Sequence, residues 1–192
     1  MESMKSVIYH KDVLEFVTVG VQYCAFLERH TEVRQKDFIE TLLKLLPLLY
    51  LKALLLPRME DLGDSFPEEF VTEQDYEAVR MQVSRILGER DAYLDLDLTS
   101  LDYVQEPQMK SISEDLADVY QAVRNFVTTY KLEIESSMYE ALVQVREQFD
   151  LYWGQTLLSG LRALHGARQV ADRETDAADA GDLLDEDSSE LL

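Results

Sequence analysis

The chain has 192 residues, with 38 aspartates and glutamates against 18 lysines and arginines, for a formal charge of −20 and an isoelectric point near 4.4. That balance disfavours a nucleic-acid surface or an anionic membrane as partner. The single cysteine, Cys24, excludes an intramolecular disulfide and fits a reducing compartment; with no targeting segment or membrane span in view, the expected location is the cytoplasm.

Residues 1–9 read as a short lead-in. Over residues 10–29 the polar positions Lys11, Glu15, Thr18, Gln22 and Arg29 recur at helical spacing, with Leu14, Val17, Val21 and Cys24 between them. This predicts the first helix, with Cys24 as a small core residue.

Residues 38–56 form the most apolar run, interrupted only by Glu40, Thr41, Lys44, Pro47 and Lys52. At roughly 100° per residue those five positions fall within an arc of about 140°. The charges and the proline argue against a membrane span, since each central charge costs a few kcal/mol on insertion. The expectation is a buried helix at the centre of the bundle. Pro47 should kink it, with the proline on the outward side.

Pro57 ends that run, and residues 57–71 read as an acidic loop. Thr72 and Asp75 form a variant capping box for the next helix, which Gly88 closes. In the connection over 89–111, Leu94, Leu96 and Leu98 alternate with Asp95, Asp97 and Thr99. With no partner strand in view, this predicts an extended segment lying across the bundle, apolar side in.

Ser113 should cap the fourth helix, whose seam runs through Leu116, Val119, Val123, Phe126 and Tyr130. Met138, Leu142, Val145, Phe149 and Tyr152 mark the fifth. Trp153-Gly154 signals a break or a tight packing point. Leu157, Leu161 and Leu164 make a sixth helix or continue the fifth. Composition places a domain over 1–166 and an acidic tail, read as disordered, over 167–192, where Leu183-Leu184 and Leu191-Leu192 are the only apolar anchors. The fold class is therefore all-α, a single-domain bundle of five or six helices.

Two carboxylate constellations merit weighing for chemistry. Asp95, Asp97, Thr99, Tyr103 and Glu106 fall at ligand positions of a calcium-binding helix–loop–helix count. Ser100 replaces the required glycine, and Pro107 stands where the exiting helix should begin, so an ordinary acidic loop is the expectation. Glu114, Asp115 and Asp118 on one helix, with Glu147 and Asp150 on the next, loosely resemble the acidic motifs of all-α nucleotide pyrophosphohydrolases, which hold Mg²⁺ against a diphosphate. That family's first motif is purely glutamate, and its base-binding residues have no match here. His10, His30 and His165 do not cluster. No Gly-rich phosphate loop, Gly-x-Ser-x-Gly or Cys-x-x-Cys occurs.

The stretches VLEFVTVGVQYCAFLE (13–28), LLPLLYLKALLLP (45–57) and YWGQTLLSGLRALH (152–165) resemble a family of bacterial helical proteins known as a domain of unknown function. The likeness runs from about Val7 to His165 and is to proteins of the Bacteroides group. It implies an all-α domain and no particular activity.

The residues thus favour a cytosolic, non-catalytic binding or adaptor module with a protein partner and no cofactor, catalytic or metal site. The alternatives are a Mg²⁺-dependent phosphohydrolase using Asp115, Asp118, Glu147 and Asp150, and an acidic decoy of a nucleic-acid-binding partner. The metal alternative rests on Asp95, Asp97, Thr99 and Glu106.

Overall fold

A computed structural model describes residues 4–29, 33–59, 68–95 and 107–169. Its elements in order are α1 (Met4–Ile8), α2 (Lys11–Leu27), α3 (Gln35–Leu54), α4 (Glu73–Leu87), β1 (Ala92–Asp95), β2 (Gln108–Ser111), α5 (Ile112–Lys131) and α6 (Glu135–Gln148). A π-helical turn, Phe149–Trp153, joins α6 to a last helix, α7, over 154–169. The all-α bundle predicted from periodicity is what forms. Helical backbone continues three residues past the boundary drawn at 166, and the rest of the acidic tail lies outside the described residues.

Local signals place most helix ends. Thr72 Oγ1 accepts from the Asp75 amide at 3.2 Å, and Asp75 Oδ2 accepts from the Thr72 amide at 3.1 Å, a reciprocal box that satisfies two orphan donors of α4. The cap of α5 differs from expectation: it is Ser111, not Ser113. Ser113 is buried, and Asp91 takes its amide and hydroxyl at 2.8 and 2.7 Å. That clasp ties the end of α4 to the start of α5.

The central helix also differs. α5 packs against α2, α4 and α6, whereas α3 lies at the periphery, against α2 and beside α7. α3 buries one stripe: Phe38, Ile39, Leu42, Leu46, Leu49 and Ala53. Leu43 and Leu45 are half-buried at its edges, and Leu48, Leu51 and Leu54 face outward, with Pro47 exposed beside them. Apolarity measures how much a helix could bury, not how many neighbours the chain brings to it. α5 has room for neighbours because small residues stand at its contacts. Opposite it, Gly20 of α2 would place a Cβ only 3.0 Å from Val123 and 3.1 Å from Val127.

Aromatic rings fill the core between α2, α5 and the π turn. Phe16 lies 5.3 Å from Phe126 and 6.3 Å from Trp153, and Phe149 meets Trp153 edge-on at 4.7 Å, separations at which ring pairs attract beyond their area. Their polar atoms are satisfied: Trp153 donates to the Val145 carbonyl at 3.0 Å, and buried Tyr23 to the Leu116 carbonyl at 2.8 Å. Cys24 is fully buried, and burial pushes its thiol up to about 12. The Trp153-Gly154 signal is a tight packing point, since a Cβ on Gly154 would stand 2.5 Å from the Phe149 carbonyl oxygen.

The segment read as a lone extended strand has a partner. β1 and β2 pair antiparallel, with Tyr93 opposite Lys110 and Leu94 opposite Met109. Where it is described, its orientation is the reverse of the expectation: Leu94 is 63 % exposed and Asp95 is buried, while Leu96 and Leu98 lie outside the described residues. Strand alternation puts Tyr93 and Asp95 on one face, and both have polar partners beneath them that Leu94 would leave unmet. Among the described residues no helix is long and apolar enough to cross a membrane.

Candidate functional site

Of the predicted carboxylates Asp95, Asp115, Asp118, Glu147 and Asp150, tyrosines and bases claim all but Glu147. Asp115, in the first turn of α5, is buried; the Tyr93 hydroxyl donates to its Oδ2 at 2.5 Å, and Gly160 of α7 closes over its Cβ. Burial pushes this carboxyl up to about 6; the charges of Asp118 and Asp95 add to the rise, while Tyr93 and Lys110 oppose it. One turn on, Asp118 accepts from two phenols, Tyr76 of α4 at 2.8 Å and Tyr152 of the π turn. Burial first, then the carboxylate itself, pushes the Tyr152 hydroxyl up to about 12.

Asp95 lies under the hairpin. Burial raises its carboxyl, but Lys110 at 2.9 Å and Arg162 outweigh that and hold it below the ordinary range. Of the calcium alternative only Asp95 is described; Asp97, Thr99 and Glu106 lie outside the described residues. On α6, Glu147 is exposed, and Asp150 in the π turn pairs with Arg146 at 2.5 Å.

The phosphohydrolase constellation is therefore not assembled. Asp115 and Asp118 turn to tyrosines, Asp150 to an arginine one turn back, and Glu147 to solvent. Among the described residues no three histidine, cysteine, aspartate or glutamate side chains are placed to hold a metal ion. Tyr76, Tyr93 and Tyr152 were missed from the sequence because a tyrosine at helical or strand spacing reads as apolar core.

Beside Asp118 a cleft of about 280 Å³ opens between α5 and α6, lined by Gln121, Asn125, Gln144, Gln148 and Tyr152. Asn125 Oδ1 fastens one wall to α5, accepting from the Phe70 and Val71 amides at 2.8 Å each.

The second surface is the outer face of α3. Leu48, Leu51, Leu54 and Leu55 are exposed there, Leu54 by 51 %. Spaced three and four residues apart, they form one ridge. A groove on the α7 side is floored by Leu43, Pro47, Leu158 and Leu161 and rimmed by Arg162, His165 and Arg168. A groove on the α2 side is floored by Phe26, Leu45 and Leu48 and rimmed by Arg29 and Lys44. In a chain of charge −20, this face gathers bases around leucines.

The sequence matches, over residues 7–169, the model of a family described as Domain of unknown function (DUF5063). A crystal structure of protein BF1032 from Bacteroides fragilis is similar to it, 45 % identical, covering 83 % of this chain and 93 % of that one with a TM-score of 0.73. Among curated proteins no match is found.

Proposed function

The chain belongs to the family described as domain of unknown function DUF5063, and from that premise we propose that it is a cytosolic, non-catalytic binding module whose α3 face docks an amphipathic, acidic helix of a partner protein. The observation that carries this is the exposed leucine ridge of α3, set between two grooves with basic rims. A helix laid along such a face would seat its apolar side chains in the grooves and bring its acids to Arg29 and to Lys44 and Arg168, which otherwise share Glu40, whereas Arg162 is held by Asp95. Clustered exposed apolar side chains are costly to leave in water and mark interaction surfaces on soluble proteins. The buried, free thiol of Cys24 suits a reducing cytosol.

Site-specific photocrosslinking in the native host tests the reading. A benzoylphenylalanine in place of Leu51 should trap a partner through an acidic amphipathic helix, and the same group in place of Glu147 should not. Adding Leu55→Glu should abolish the product. Crosslinks only to a second copy of the chain, or equal trapping from both positions, would overturn it.

A further inference from the structure

We propose that the cleft between α5 and α6 binds an organic cation of the alkylguanidinium class through Asp118. Three elements build the site. α4 supplies Tyr76 and the π turn supplies Tyr152, and their hydroxyls grip the two oxygens of Asp118 on α5. The carboxylate is thus aimed before any ligand arrives, which lowers the ordering cost of binding. π-helical turns recur at functional sites, and here the turn also sets Tyr152 at the mouth of the cleft and Trp153 behind it.

Asp118 is half-buried and, among the described residues, forms no ion pair. Phenols donate hydrogen bonds but carry no charge, so its electrostatic complement is unfilled. Three amide side chains of the lining, Gln121, Gln144 and Gln148, likewise make no hydrogen bond among the described residues. They can accept from a guanidinium's fan of donors, which a carboxylate alone cannot satisfy.

The lining also excludes other classes. It has no lysine or arginine, and Glu68 and Glu69 stand on its edge, so an anion is repelled. A cleft of about 280 Å³ suits a guanidinium with a short alkyl stem and is small for a nucleotide. The ring of Tyr152, 53 % exposed, offers a face on which a planar cation can stack.

Calorimetric titration of the full chain with agmatine and with Nα-acetyl-arginine methylamide tests this. Ammonium chloride at matched ionic strength controls for general screening of a highly acidic protein. Saturable binding of either guanidinium, with Asp118→Asn weakening it at least tenfold and Asp150→Asn leaving it unchanged, is expected. Gln144→Lys, which puts a cation into the cleft without touching the Asp118 hydrogen bonds, should block binding even if Asp118→Asn fails to fold. Tighter binding of agmatine assigns a free cation, and tighter binding of the blocked arginine assigns a partner's side chain. No saturable binding of either probe, or binding unaltered in Asp118→Asn or Gln144→Lys, would overturn the proposal.

Discussion

Tyr93 on β1 reaches across to α5 and donates its hydroxyl to Asp115 Oδ2 at 2.5 Å, holding the hairpin onto the bundle through a buried carboxyl. The bond favours the ionised acid, yet burial outweighs it and lifts the carboxyl to about 6 from an ordinary 3.8. The folded state therefore binds this proton more tightly than the unfolded chain does. The stability contributed by that proton is complete below about pH 4 and is lost as the pH rises through 6. Asp115→Asn keeps an acceptor for Tyr93 and removes the charge. It should gain on the order of 2–3 kcal/mol over the native protein at pH 7.5, with the gain vanishing near pH 4. Urea unfolding of both proteins across that window measures the difference; a constant offset would mean that Asp115 does not titrate there.

The two phenols on Asp118 should differ in their contribution to stability. Tyr76 is 2.8 Å from Oδ1 and joins α4 to α5, whereas Tyr152 is half exposed, so water can replace its bond. Tyr76→Phe should cost about 1.5–3 kcal/mol, as hydrogen bonds to charged groups do, and Tyr152→Phe less. Equal losses would show that the two bonds are equally shielded from water.

These tyrosines also mark the limit of what the residues reveal in order. The capping box at Thr72, the seam of α5 and the Gly154 packing point were legible because each rests on neighbours within a few positions. The pairing of β1 with β2 was not, because the β2 stretch, Gln-Met-Lys-Ser, has no apolar alternation to announce it. Nor was the outward turn of Leu94, which follows from partners on α5 and α7 far along the chain. The periphery of α3 was hidden for the opposite reason. Its leucines satisfy a buried helix as well as a docking face, and only the placement of neighbours separates the two.

Two glycines set close approaches of different stiffness. At Gly154 a Cβ would stand 2.5 Å from the Phe149 carbonyl oxygen, and backbone cannot step aside cheaply. At Gly20 the neighbours are methyl groups of Val123 and Val127 at 3.0 and 3.1 Å, which can shift by a few tenths of an ångström. Gly20→Ala should cost about 1–2 kcal/mol, within the range of overpacking, and Gly154→Ala more. Loss of the π turn in Gly154→Ala should also disturb the near-ultraviolet circular dichroism of Trp153, which sits in that turn. An unchanged spectrum and midpoint would mean the turn relaxes without consequence.

The two faces of α3 give the sharpest separation of stability from binding. Leu49 is fully buried, and Leu49→Ala should cost about 2–5 kcal/mol through lost burial and a residual cavity. Leu51 and Leu54 stand on the outer ridge, about half exposed. Replacing either with glutamate removes no core contact, so the urea midpoint should stay within about 0.5 kcal/mol of the native value. Leu51→Glu should nevertheless abolish docking of an acidic helix, because its carboxylate interrupts the apolar track where the helix's own leucines must lie and repels the helix's acids. If Leu51→Glu instead destabilised the monomer as much as Leu49→Ala, the ridge would be part of the core. α3 would then hold the central place its sequence first suggested, and the docking face would have to be sought elsewhere.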